Sequence, residues 1–237
     1  SDELIDCFIG GMKFLHQDLL IRILNYEERL AIEYFENYEI FAILYSLELG
    51  LNKLSNALLD VLKKYDHIKE KKTIFNLRWP ERRYSNLINH FNCNRDNMLM
   101  VALYASNGEI VPKMLELKSY GKIFFNHKNN VQHHALNIAI NSNQLKTAHT
   151  ILEYFNEEDI NELDIEGNNT FLYTVINKQY DFMMYLIKYT RCNIKYDAIN
   201  YITGKNALHF LCEQGESIYA SILIDKCPKL VFDCNFF

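Results

Sequence analysis

The chain repeats itself. Leu136, Leu172 and Leu208 stand 36 residues apart, and similar residues surround each of them. Around the last, the chain reads Gly204-Lys205-Asn206-Ala207-Leu208-His209-Phe210-Leu211-Cys212-Glu213-Gln214-Gly215, with the apolar run Ile222-Leu223-Ile224 downstream. Around Leu172 it reads Asn168-Asn169-Thr170-Phe171-Leu172-Tyr173-Thr174-Val175, followed by Leu186 and Ile187. Around Leu136 it reads His134-Ala135-Leu136-Asn137-Ile138-Ala139-Ile140, then Asn143 and the pair Ile151-Leu152. Val101 lies 35 residues upstream of Leu136 and precedes Ala105-Ser106-Asn107-Gly108-Glu109-Ile110-Val111. A unit of this length is too short to bury an apolar face alone, so such units must stack on their neighbours. Asn143 can end a helix because Asn tolerates the left-handed conformation. Thr170 stands where a hydroxyl can cap a helix start.

The Gly204–Gly215 segment resembles the ankyrin repeat, with its G-x-T-P-L-H-x-A-A-x-x-G pattern. Gly204, Leu208, His209 and Gly215 match directly; Asn206, Ala207, Leu211 and Cys212 are conservative departures. The T-P-L-H tetrapeptide is nowhere intact and its proline is always missing. The resemblance implies an all-α, ankyrin-repeat solenoid of stacked helix–turn–helix layers. It also implies that His209 bonds to loop backbone and ties that loop to the next layer.

Upstream, Ile43 to Gly50 and Leu4 to Gly11 keep the same seven-residue gap, and the first-helix small positions are read as Cys7, Ser46, Ala105, Ala139 and Cys212. At 175 and 211 the small residue is replaced by Val and Leu. Phe14, Leu15, Leu19, Leu20 and Ile23 read as one helical stripe. The expected organisation is degenerate layers over 1–66, a basic helical insert over 67–95 and a repeat array over 96–237. Residues 1–48 carry ten acids against three bases, and residues 63–83 carry eight bases against three acids. The insert is read mainly as a solvated face, with Trp79 packing it onto the scaffold.

Hydrophobic content of 49% argues against disorder. No apolar run is long enough for a membrane span. The six cysteines (7, 93, 192, 212, 227, 234) lack C-x-x-C pairing and read as reduced, structural residues, two of them on buried small positions. Adjacent His133 and His134 cannot easily face one ion, so no metal and no cofactor are expected. Gly10-Gly11 reads as a repeat turn rather than a phosphate loop, and nucleophile, zinc and dinucleotide motifs are absent. The acidic remainder of the chain argues against nucleic acid.

The chain is therefore expected to be a non-enzymatic scaffold that binds another protein, as a monomer in the cytoplasm. The alternative is the recognition arm of a larger enzyme or secreted effector. Its Asn/Lys/Ile-rich, proline-poor composition resembles the ankyrin arrays of intracellular bacterial effectors, poxviruses and some protists, which would place the partner in a host cytosol. In that family partners contact loop tips and the exposed face of the first helix. Carried over, these are Met98 and Asn107; Val131, His133 and Asn141; Glu166, Asn169, Asn177 and Lys178; and Ile202, Lys205, Glu213 and Gln214.

Overall fold

The computed structural model describes residues 2–31, 34–35, 40–66, 91–105, 110–116, 125–189 and 191–232. Most of the expected basic insert, 67–90 with Trp79, lies outside the described residues, as do Ser106, Asn107 and Gly108. The chain is mostly helical and divides into two compact units, Ser1–Phe124 and Phe125–Phe237.

The first unit contains α1 (Asp2–Lys13), α2 (Gln17–Tyr26), α3 (Ala42–Glu48), α4 (Asn52–Asp66), α5 (Met98–Tyr104) and α6 (Ile110–Glu116). A short antiparallel pair, β1 (Tyr34–Phe35) and β2 (Ile40–Phe41), precedes α3, with Tyr34 opposite Phe41. Helices pack as hairpins: α1 on α2, α3 on α4, α5 on α6. Hairpins then pack on one another, α2 and α6 both touching α4, and α3 touching α5. Phe8, Met12, Leu20, Ile43, Leu54, Leu58 and the whole apolar run Met98–Leu103 are buried there. Exposed ion pairs between the second helices, such as Lys113–Asp60 at 3.2 Å, contribute little beyond this apolar contact.

The second unit contains α7 (Ala135–Asn141), α8 (Leu145–Leu152), α9 (Glu157–Asn161), α10 (Thr170–Ile176), α11 (Tyr180–Tyr189), α12 (Ala207–Glu213) and α13 (Ser217–Lys226). Its hairpins are α7/α8, α10/α11 and α12/α13. The first helices pack in chain order, α7 on α10 and α10 on α12. Ala135, Leu136, Ile138–Ile140, Phe171, Leu172, Leu208 and Leu211 fill these seams, and Phe182, Met183, Leu186 and Leu223 bury the second helices.

One joint closes five of the hairpins. Leu15, Gly50, Asn143, Lys178 and Gly215 all have left-handed φ, between +55° and +76°. The N–H of each donates to the carbonyl three residues back, and the following N–H donates to the carbonyl five residues before it. Gly50 and Leu51, for example, donate to Leu47 and Ser46 at 3.0 and 2.8 Å. This double bond to the last turn satisfies carbonyls that a helix end leaves unpaired. Asn143 fills the glycine position as expected.

These joints correct several sequence expectations. Gly10-Gly11 is not a turn: both residues lie within α1, and the left-handed residue is Leu15. Because that joint divides α1 from α2, the stripe Phe14–Ile23 is broken; Phe14, Leu15 and Leu19 are exposed while Leu20 is buried. Counting back from each joint, the small interior position is Gly11, Ser46, Ala139, Thr174 and Leu211. Cys7 and Cys212 are exposed instead. Gly11 is small for a packing reason: a Cβ there would stand 2.7 Å from Leu20 Cδ2. The register of two anchors also shifts. Leu136 and Leu208 lie two residues after their helix caps His134 and Asn206, but Leu172 lies three after Asn169 and Val101 four after Asn97. The equivalent positions are Leu99, Leu136, Phe171 and Leu208, spaced 37, 35 and 37.

Candidate functional site

Four loops are built alike, one in the first unit and three in the second. Each opens on Asn or Asp whose side-chain oxygen accepts backbone N–H groups further along the loop. Asn92 Oδ1 accepts from Asn94 and Asp96 at 3.0 and 2.8 Å; Asn129 Oδ1 from Val131 and His133 at 3.1 and 3.0 Å. Asp164 Oδ1 accepts from Glu166 and Asn168 at 2.9 and 2.8 Å, and Asn200 Oδ1 from Ile202 and Thr203 at 3.1 and 2.9 Å. The side chain thereby replaces a backbone acceptor and folds the loop locally, and antiparallel bridges Phe91–Asn97 and Ile199–Asn206 close the first and last of the four. A left-handed residue completes each loop: Arg95, Gln132, Gly167 and Gly204.

Each loop ends on a helix cap, Asn97, His134, Asn169 or Asn206, which accepts from the N–H three residues on. The cap of α10 is therefore Asn169, at 2.9 Å from the Leu172 nitrogen, and not Thr170, whose buried Oγ1 has no hydrogen-bond partner. His209 Nδ1 accepts from the Asn206 N–H at 3.3 Å, closing a capping box within its own layer. The bond to loop backbone is present; it joins His209 to the loop leading into its own helix.

In the second unit polar side chains link successive loops. His133 Nε2 lies 3.3 Å from Asp164 Oδ2, Asn168 Nδ2 donates to Asp164 Oδ2 at 3.1 Å, and Asn200 Nδ2 donates to Asn168 Oδ1 at 2.9 Å. The Tyr201 N–H donates to the Glu166 carbonyl at 2.6 Å. Burial pushes the Asp164 carboxyl up, but the bonds from His133, Asn168 and Glu166 outweigh it and hold the group below the ordinary carboxylate value. His134 is buried beneath this row. Burial, then the charges of Lys128 and His133, push its imidazole down to about 3, so it caps α7 as a neutral ring.

With its base fixed in this way, the loop row presents an apolar surface. Ile165 is 59% exposed, Tyr201 66% and Ile202 74%, and Val131, Leu163 and Ile199 are partly exposed beside them. Leu163, Ile199 and Tyr201 line a shallow cleft of about 390 Å³ together with Asn161, Asn169, Lys195, Asp197 and Ala198. Val131 and Ile202 are the apolar points expected from the sequence. Leu163, Ile165, Ile199 and Tyr201 were not expected, and their signal is positional: each directly flanks an anchoring Asp164 or Asn200.

The remaining expected contact residues divide. Asn141, Glu166, Lys178 and Glu213 are exposed, and His133, Asn177, Lys205 and Gln214 are half-buried. Lys205 and Glu213 pair with each other at 2.6 Å. Gln214 is engaged inside the fold, accepting from Tyr180 Oη at 2.8 Å and donating to the Val175 carbonyl at 3.3 Å. Two positions must be corrected. Met98 is 2% exposed because it opens α5 facing the core, and Asn169 is 1% exposed because it caps α10 and donates to the Lys195 carbonyl. Neither offers surface to a partner. Asn107 lies outside the described residues.

Among the described residues, no group of three His, Cys, Asp or Glu side chains is placed to hold a metal ion. No described helix is long and apolar enough to cross a membrane. No protein-family model matches the chain, and no curated protein matches it either.

Proposed function

We propose that this chain is a divergent ankyrin-like scaffold that binds another protein through the loop row of its second unit. Support for the ankyrin-like reading comes from the recurring trio of anchored loop, capped short helix and left-handed joint, with first helices packed in chain order. The observation that carries the binding reading is the exposure of Val131, Ile165, Tyr201 and Ile202 on loops held rigid by buried bonds. A preformed surface loses little entropy on binding, and exposed aromatic and aliphatic groups are what a partner can desolvate. Among the described residues of the loop row no nucleophile is paired with a base, and its buried polar groups are engaged with backbone and with one another.

The test is site-specific photo-crosslinking. A photoreactive residue at Ile202 should give discrete protein adducts in extracts of the source organism or its host, and one at the exposed Ser221 should not. Val131→Asp combined with Ile202→Asp should remove the adducts formed from a probe at Glu166 while leaving the melting temperature within a few degrees, since both sites are exposed. Equal labelling from Ser221, or adducts indifferent to the double change, would place the interface elsewhere.

A further inference from the structure

We propose that the cleft beside the last two loops receives an aliphatic or aromatic side chain of a cationic peptide segment in the partner protein. This rests on the protein-binding reading and specifies its partner. The walls of the cleft are apolar: Leu163, Ala198, Ile199 and Tyr201. Both amide side chains of the lining are already engaged, which leaves Lys195 and Asp197 as its charged groups. Asn161 Nδ2 donates to the Glu157 and Asn193 carbonyls, both at 2.8 Å, and its Oδ1 accepts from the Lys195 N–H at 2.8 Å. Asn169 donates to the Lys195 carbonyl at 2.7 Å and accepts from Leu172 at 2.9 Å. An occupant therefore finds apolar surface and few open hydrogen-bonding groups, which selects a hydrocarbon or aromatic anchor.

The surrounding charge selects what flanks that anchor. Between 157 and 166 the chain carries Glu157, Glu158, Asp159, Glu162, Asp164 and Glu166 and no base. Asp164 is held inside by His133 and Asn168, and Glu162 is paired with Lys128 at 3.0 Å. Glu158, Glu166 and Asp197 remain exposed, with no ion pair among the described residues, and Lys195 is the one cation in the cleft lining. The acidic segment thus supplies Asn161 and Leu163 to the cleft wall, and acidic charge adjoining an apolar cleft attracts Lys- or Arg-bearing segments and repels acidic ones.

The test titrates the full chain into three fluorescein-labelled synthetic dodecapeptides, alternating Leu/Lys, Leu/Glu and Ser/Lys, and follows anisotropy. Leu/Lys should bind saturably, at least about tenfold tighter than the other two, and weaken as salt rises. Tyr201→Ser, which removes a wall, should weaken it about tenfold, and Asp197→Lys about fivefold. Ile218→Ser removes an equally exposed aliphatic residue from α13 and should change nothing. Leu/Glu binding as tightly as Leu/Lys overturns the cationic assignment. Equal binding of Ser/Lys overturns the apolar anchor, and equal sensitivity to Ile218→Ser overturns the site. If no peptide binds while crosslinking from Ile202 still finds a partner, this proposal fails and the protein-binding reading stands; if crosslinking fails as well, both fall.

Discussion

Gly167 and Gly215 have nearly the same left-handed φ, +84° and +76°, yet they stand in different surroundings. A Cβ at Gly215 would meet nothing within 4 Å; one at Gly167 would stand 2.5 Å from the Ile199 carbonyl oxygen and 2.8 Å from the Tyr201 ring. Gly215→Ala should therefore cost only the conformational penalty, about 1 kcal/mol. Gly167→Ala adds a backbone clash and should cost about 3 kcal/mol or more, read by urea denaturation. Equal costs would show that the loop relaxes. His134 makes a second residue-scale prediction. Its imidazole is neutral in the fold down to about pH 3, whereas the unfolded chain takes up that proton near the ordinary value of 6.5. The unfolded state thus binds more protons between about 3 and 6.5, so stability is full above that window and falls as pH drops through it. The loss should reach roughly 4 kcal/mol at the acid end. His134→Asn supplies the cap used by the neighbouring layers without a titrating group, so it should flatten the pH profile of unfolding. An unchanged profile would assign the acid sensitivity to other groups, Asp164 first, whose own contribution disappears only as pH falls through its lowered value.

At the scale of elements, a seven-residue helix such as α7, α10 or α12 is too short to persist on propensity alone. Its ends and its packing hold it. The cap lies nine residues before the left-handed joint in each case: His134 to Asn143, Asn169 to Lys178, Asn206 to Gly215. Asn206→Ala should cost about 1 kcal/mol. His209→Ala keeps that cap and loses the return bond together with the 2.7 Å contact of Nδ1 to Asn206 Oδ1, so its cost should be smaller, about 0.5 kcal/mol. Asp164→Ala should be the most damaging of the polar changes, about 3 kcal/mol. It strands the Glu166 and Asn168 donors and frees His133 from its partner. Chemical denaturation of the three variants gives the order directly, and Asp164→Ala milder than Asn206→Ala would contradict the loop row as a structural spine.

At the scale of the whole molecule, the second unit has its own core, from Leu136 through Phe171 and Phe182 to Leu223, and its own polar spine. It should fold when expressed alone as residues 125–237, with a helical far-UV spectrum, cooperative melting and the acid transition assigned to His134. A non-cooperative melt of that fragment would show that its stability depends on the rest of the chain.

The interval of about 36 residues was legible because caps, apolar seams and left-handed joints recur with few residues between them. Helical class and the joints at Gly50, Asn143 and Gly215 could be read from the sequence, since glycine and Asn announce a positive φ. Leu15 and Lys178 could not, because only the double hydrogen bond to the preceding turn compensates a side chain in that conformation. Register was misread at Val101 and Leu172 for a related reason: in a fully apolar run such as Met98–Leu103 every residue is buried, and no residue type marks which one faces the next helix. Loop polarity misled in the same way. Asn169 reads as a surface residue, but tertiary packing turns it inward, and Asp164 with it, where backbone donors need acceptors. It leaves Ile165 and Tyr201 outside, because the inward places beside them are already taken.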